Sequence, residues 1–592
     1  MGPRTDWDTE PNPTYDIWTS VNGSEIVPGV LSPFSATSFN RYDSMGLREL
    51  MSRYPGGDEV KLFDPPVGNF FGVVAGRLCL NNGFSVAATS MLDADIAQAI
   101  LQQFFTGATG GERFIADATD EQRAAAYAEA TRQREAAPGV LDGYRDRLYA
   151  ERDSGRARED RDLPLTAAVN RYVELAEDNA CELLNTHYVI SVGAGEWQVR
   201  LAGVLVMAGL DPALVVGLCS GLGEVESSLP AVHLYEVAQL VRAHPAVASL
   251  LRSDLDAAVA RLTAPPSADT DTDTDTTSDT GWAEVAARFQ EFLRDYGYRG
   301  QGEADPTNPD WAEQPTFALS SIRSMLDVDE AESPRATIAS AVAARQRLEA
   351  TTRQQIPAEL GEAFDATLAQ AQHFTRMRER SKAMWVIGTR RARAPFLAIG
   401  DGLAEAGLVA DPDDTRFLTL AEIEALAGID GAPTALSPNQ VADAVARRRA
   451  QTAEAEQWDL PDNWVGEPEL TRRGAVDEVD SLTGIGVSAG AGPVTGKARI
   501  IPSAQAGLAQ DIEVGEILVA PFTDAPWTPL FIPAGAVVVE TGGVISHAAT
   551  VAREFAIPAV VMCKRATEII HDGDIVTVDG AAGTVTIESR AG

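Results

Sequence analysis

Glu540-Thr541-Gly542-Gly543-Val544-Ile545-Ser546-His547-Ala548-Ala549-Thr550-Val551-Ala552-Arg553-Glu554 is the stretch on which the reading of this chain turns. The valine run 537–540 predicts a β-strand, the glycine pair a turn, and Ser546 the N-cap of a helix. His547 then falls in the first helical turn, where unpaired N–H groups and the positive end of the helix dipole favour an anion. Gly542 and Gly543 leave room for a bulky phosphate donor to approach the backbone. An imidazole with an ordinary pKa of about 6.5 keeps a neutral, nucleophilic nitrogen at neutral pH. A lone histidine at a helix start more often caps or packs, so the surrounding sequence has to carry the argument.

Downstream of residue 483 the chain is rich in Gly and Val, with short apolar runs at 498–501, 516–520, 536–540, 575–578 and 583–587. Helical patterning interrupts these runs only after His547 and around Ala504. This predicts a small β/α domain over 483–592, preceded by a polar linker at 461–482. A small domain on a tether allows large rigid-body movement. Residues 1–460 read as a second, mostly helical domain, with apolar residues at helical spacing across 166–184, 231–262, 282–296 and 335–408. The first hundred residues are mixed, with β-like runs such as 70–80. An Asp-Thr repeat within 264–280 has no apolar anchor and predicts a disordered insert. The fold class is therefore multidomain α+β: a largely helical substrate-binding domain followed by a small β/α domain.

At 592 residues the chain is too long for one core, and a net charge of −38 argues against a nucleic-acid binder or adhesion to an anionic membrane. No secretory leader is seen at the start, and the apolar stretch 201–222 is broken by Asp211 and Pro212, so it reads as buried helix. The four cysteines (Cys79, Cys181, Cys219, Cys563) form no CxxC pair and the six histidines no HExxH pattern. No disulfide framework and no structural metal are expected, and a reducing cytoplasm fits. Lysine occurs only at 61, 382, 497 and 564, which gives each position more weight.

The His547 stretch resembles the swivelling phosphohistidine domain of the PEP-utilising enzymes, among them phosphoenolpyruvate synthase and pyruvate phosphate dikinase. The resemblance runs through 484–496, Ile517-Leu518-Val519-Ala520, Thr523-Asp524-Ala525-Pro526-Trp527-Thr528-Pro529, the loop Thr541-Gly542-Gly543 with Ser546, Ile557-Pro558-Ala559-Val560, and Asp572-Gly573-Asp574. Thr550 stands where Ile is commoner. The resemblance implies that His547 carries a phosphoryl group. The pyruvate barrel that follows this domain in those enzymes, and an ATP-grasp domain ahead of Trp18, are both expected to be missing.

The preceding residues resemble the acceptor-binding domain of rifampin phosphotransferase at Trp18-Thr19-Ser20-Val21-Asn22, at 296–303 with Pro309-Asp310-Trp311, and at Arg378-Glu379-Arg380-Ser381-Lys382, where Ser381 replaces a proline. Arg378 and Lys382 are four apart on a predicted helix and share a face suited to phosphoryl oxygens; a solvated surface pair is the competing reading. Arg299 and Glu303 lie in a Gly-rich loop, with Glu303 either a general base or half of a buried ion pair. His373 is a candidate for activating the acceptor. The other helical histidines read as structural and His571 as a surface residue. Asn22 and the aromatic residues Phe34, Phe70, Phe71 and Trp385 are candidates to line an acceptor pocket, or core.

The resemblance implies a dikinase split over two chains, as in phenylphosphate synthase and 4-hydroxyacetophenone dikinase. A separate ATP-grasp subunit, binding ATP and Mg2+, would load His547, and the acceptor would be a phenolic hydroxyl. The alternatives are an antibiotic phosphotransferase acting on a rifamycin-type macrolactam, and a regulatory protein that keeps the domain without the reaction. No nucleic-acid or membrane partner is expected.

Overall fold

Ser32 accepts a hydrogen bond from Ser35 N (3.1 Å) and Pro33 occupies the first helical position, so a 20-residue helix starts at Pro33 and runs to Ser52. Its buried face carries Phe34, Tyr42, Asp43, Leu47 and Leu50. The computed structural model describes residues 4–10, 12, 14–54, 70–93, 110–115, 117–223, 225–264, 276–474, 476, 479–487, 492–502, 512–543 and 546–591. The chain is multidomain α+β and forms two compact units: Met1–Val215 with Ala304–Thr307 and Ile356–Ala475, and Val216–Glu303 with Asn308–Gln355 and Val476–Gly592.

The first unit is built on long helices. Thr119 and Gln122 form a capping box at the head of Asp120–Ser154. Helix Leu165–Asp178 passes through a π-helical turn, Asn179–Leu184, into helix Asn185–Met207. Helix Gly361–Arg391 packs along the latter. Phe34, Val169, Tyr172, Phe396, Ile399 and Ile423 belong to one core. The continuous helix Leu165–Met207 is long and apolar enough to cross a membrane by length and composition, yet half of its most apolar window is buried inside the protein. The predicted break at Asp211-Pro212 is present, but Val206 and Met207 just before it are exposed rather than buried.

A four-stranded antiparallel sheet completes this unit in the order Phe71–Val74, Arg77–Asn81, Ile17–Thr19, Asn463–Val465. The last strand corrects the linker expected at 461–482. Trp464 lies opposite Trp18, and both are buried with Cys79. Three paired residues inside a polar stretch give no readable period, so local sequence could not reveal them.

In the second unit, strands Val494–Ile500, Ile517–Ala520, Ala536–Val539 and Ala559–Val561 run parallel, flanked by antiparallel strands in an eight-stranded sheet. Its two edges, Ser481–Thr483 and Ile485–Val487, are successive pieces of one stretch separated only by Gly484, so the sheet closes on itself. A Cβ at Gly484 would meet Val561 O at 2.4 Å, which explains the glycine. Besides the helix at His547, short helices occur at Thr528–Phe531 and Ala566–Ile569, where none was expected. The helix expected around Ala504 lies outside the described residues, as does 265–275 of the insert; helix Thr276–Tyr296 covers the remainder.

The β/α domain does not stand alone. Leu530, Phe531, Ala548, Val551 and Phe555 share one buried core with Val232, Leu234, Phe289, Phe317 and Leu319 from the helical segments of the same unit. The boundary expected at 483 therefore does not separate two cores. The apolar faces of two short helices, invisible as long-range partners in the sequence, join the β/α domain to residues 229–342.

Candidate active site

His547 opens the helix His547–Glu554, as the sequence predicts, and Ser546 Oγ accepts from Ala549 N at 3.3 Å. The strand Ala536–Val539 delivers the chain to this loop, at the carboxyl end of the parallel strands. Gly542 is buried with φ +111°, a conformation that a side chain strains. Thr541 donates to Pro521 O (3.2 Å) on the neighbouring loop, and Ser546 N donates to Gly543 O (3.0 Å). The His547 ring is half-buried. Its edge faces Phe531 at 6.2 Å, and Nε2 lies 3.4 Å from Thr528 Oγ1, which itself reaches Ser227 O at 3.3 Å. A nucleophilic nitrogen, a hydroxyl and a helix N-terminus thus converge on one point. Thr528 was quoted in the sequence pattern but not recognised as the neighbour of His547.

In the same unit Arg299 and Glu303 are both buried, with Arg299 Nη1 2.7 Å from Glu303 Oε1. Burial alone would lower the guanidinium, but Glu303 and Tyr298 hold it above its ordinary value. Gly302 N donates to Asp524 Oδ2 at 2.8 Å, so the pair fastens a loop against the Thr523-Asp524 turn. The ion-pair reading is the one this geometry supports.

The first unit carries the other candidates. Arg378, Lys382, Trp385 and Thr389 repeat at i, i+4, i+7 and i+11 along Gly361–Arg391, and so share a face. Arg378 and Lys382 are half-buried, and Lys382 has no ion pair among the described residues. Beside them lies His187. Burial first, then the two cations, push its pKa down to about 3, so it is neutral. Ser381 donates to Arg378 O (3.0 Å), so its oxygen accepts from His187 Nδ1 (2.9 Å), which leaves Nε2 as the acceptor nitrogen, 3.5 Å from Ser191 Oγ. The His187 ring lies parallel to Trp385, with centroids 6.1 Å apart. Trp385 in turn lines a cavity of about 60 Å3, together with Ser38, Tyr42, Asp43, Tyr172 and Asn179.

Residues 187–379 match the fourth domain of rifampicin phosphotransferase, and residues 512–583 match the mobile domain of the PEP-utilising enzymes. Two segments of the chain are thus similar to parts of the PEP-utilising phosphotransferases. A rifampicin phosphotransferase of Streptomyces sp is 30% identical over 370 residues, covering 60% of this chain and 39% of that protein. The uncharacterized phosphotransferase YvkC of Bacillus subtilis is 32% identical over 319 residues, 51% of this chain and 36% of its own length. The prodigiosin synthesizing transferase PigC of Serratia marcescens is 31% identical over 320 residues, 51% of this chain and 33% of its own. The chain thus spans between a third and two fifths of the length of these relatives.

The remaining candidates divide. Phe34 is fully buried between Tyr172 (5.0 Å) and Phe396 (4.8 Å), behind the cavity rather than lining it. Phe70 packs on Phe71, Phe84 and Tyr188 and also stays off the cavity wall. His373 is exposed with its ring against Phe374, on a different face of its helix from Arg378, so geometry does not favour it as an activator. Asn22 lies in the short helix Val21–Ile26, and its side chain is outside the described residues. His571 is exposed. Among the described residues no group of three or more His, Cys, Asp or Glu side chains could hold a metal ion.

Sequence reasoning missed Asp43. It sits on the buried face of Pro33–Ser52 at the spacing of Ala36, Phe39, Leu47 and Leu50, and a carboxylate on an apolar stripe is the clue that was available.

Proposed function

We propose that this chain is the phosphohistidine-carrying and acceptor-binding subunit of a two-component, ATP-dependent dikinase in the cytoplasm. The observation that supports this most is His547 itself, half-buried at a helix N-terminus within a segment matching the mobile domain. An ATP-grasp subunit supplies the β-phosphoryl of ATP to the imidazole, and the overall products include AMP and phosphate. Mg2+ for that ATP step would be held by the partner. Arg378 and Lys382 hold the phosphoryl oxygens during delivery, which stabilises the charge of the transferring group. The acceptor hydroxyl attacks phosphorus, and the P–N bond breaks with its electron pair returning to the imidazole nitrogen.

The acceptor is a small hydroxyl compound, with a phenol in first place, because Tyr42, Tyr172 and Trp385 wall the cavity. A rifamycin-type acceptor is the second reading, favoured by the names of two relatives. The cavity of about 60 Å3 is far below the roughly 300–1,000 Å3 of drug-sized sites, so that reading requires a much wider opening. The intact Gly-Gly turn and His547 speak against a purely regulatory protein.

The test is reconstitution with candidate ATP-grasp subunits and β-labelled ATP. Acid-labile label on the wild-type chain and none on His547→Asn, followed by its loss to a phenol, is the expected result. Absence of label with partners that load another carrier would overturn the proposal.

A further inference from the structure

Three polar atoms around one cavity have no hydrogen-bond partner: Asp43 Oδ2, Asn179 Oδ1 and the Tyr42 hydroxyl. All three residues are more than nine-tenths buried, at 2%, 7% and 5% exposure. Orphaned buried groups are rare because each costs the full loss of its hydration, so three on one small cavity mark a place built for a polar ligand. The cavity wall includes Asn179, Ala180 and Leu184 of the π-helical turn, a local irregularity that recurs at functional sites. Gly388 also belongs to the wall: a Cβ there would lie 2.2 Å from Asn179 Oδ1, so only glycine lets that oxygen stay where it is.

The carboxylate is held by one side. Tyr188 donates to Asp43 Oδ1 at 2.6 Å, and the main-chain N–H of Phe71 also faces the group. Oδ2 is left bare on a cavity-lining side chain. Burial pushes the Asp43 pKa up to about 7, against the lowering effect of Tyr188 and Phe71. A base with that value changes state near neutral pH, where proton transfer is most effective. Trp385 and Asp43 both line the cavity, and Lys382 is three residues from Trp385 on the shared helix face, about 4.5 Å along the axis.

We propose that this cavity is the acceptor pocket and that Asp43 is the general base, its Oδ2 taking the proton from the acceptor hydroxyl. The O–H bond breaks toward Asp43 as the oxygen attacks the phosphorus held by Arg378 and Lys382. The P–N bond to His547 breaks, and Asp43 afterwards releases the proton to solvent. Tyr188 is a positioning residue that fixes the carboxylate. The enclosed volume is under half of the roughly 150 Å3 that accommodates benzene, so an aryl alcohol enters with a wall side chain displaced. This inference rests on the phosphotransfer reading of His547.

The experiment loads the full chain with label by phosphoramidate, which phosphorylates histidine without a partner subunit, and uses phenol as the acceptor probe. Wild type, Asp43→Asn, Tyr188→Phe and His547→Asn are compared across pH 5–9. Expected is equal loading at His547 in the first three, none at that position in the fourth, and formation of phenyl phosphate slowed about 100-fold or more in Asp43→Asn. Tyr188→Phe moves the midpoint of the rate profile upward, because a bond that lowers the Asp43 pKa is gone. Among the described residues, the titratable groups beside Asp43 or lining its cavity are Tyr188, Tyr42 and Tyr172, and of these Tyr188 is the one that donates to the carboxylate. Asp43→Asn within about threefold of wild type would overturn the proposal, as would label that stays on His547 in the presence of phenol. Failure of His547 to load at all would strike the carrier reading instead.

Discussion

Glu303→Gln separates a structural from a catalytic account of the Arg299–Glu303 pair. The two side chains are 3% and 6% exposed and meet at 2.7 Å. Removing one partner of such a pair leaves a buried charge and costs about 3–5 kcal/mol. Glu226 also acts on Arg299 through charge, which places the loss toward the low end. In a unit of roughly 250 residues each kcal/mol moves melting by about 2–4 °C, so the unit should melt about 6–20 °C lower. Calorimetry on the full chain should show that transition shifted while the other holds. Arg299→Met with Glu303→Leu should recover most of the loss, because a well-packed apolar pair removes both desolvated charges. A variant that melts like wild type but no longer transfers phosphoryl would refute the reasoning and make Glu303 a base.

Other outcomes follow from single contacts. Asp43→Asn should stabilise the chain at pH 8 and do little at pH 4. The raised Asp43 pKa means that wild-type stability is full below about pH 4 and declines as pH rises toward about 7; a pH-independent difference in melting would contradict this. His187→Gln should flatten the acid limb of stability between about pH 6.5 and 3, where the wild type loses stability as its neutral, low-pKa histidine is forced to take a proton. Ser546→Ala removes the cap on the His547 helix and should cost about 1 kcal/mol in denaturant titration. Gly388→Ala should close the cavity by driving a methyl into Asn179 Oδ1 and Leu183, abolishing phenol binding in a ligand-detected NMR titration.

Much of the His547 region was legible because its information is local. Ser546 as N-cap, the strand before the glycines and the strands near 498, 517 and 575 follow from short-range pattern, and the structure has each of them. Arg378 and Lys382 fall on one helix face as their spacing requires. What escaped is non-local. Phe531 and Val551 look like ordinary apolar positions, yet they share a core with Phe289 and Leu319, more than two hundred residues earlier. Trp464 pairs with Trp18 across 446 residues of chain. Asp43 looked like one more acid in a chain of net charge −38, and only its bare oxygen on a cavity wall distinguishes it. His187, read as structural, gained interest only when Arg378, Lys382 and Trp385 were found around it.

The most direct test of the central claim is neutral-pH peptide mass spectrometry of the chain after incubation with ATP and its ATP-grasp partner. The account predicts one phosphoryl group on the peptide bearing His547, lost on acid treatment and on addition of the acceptor. A stable phosphoryl group on any other residue, with His547 unmodified, would contradict it.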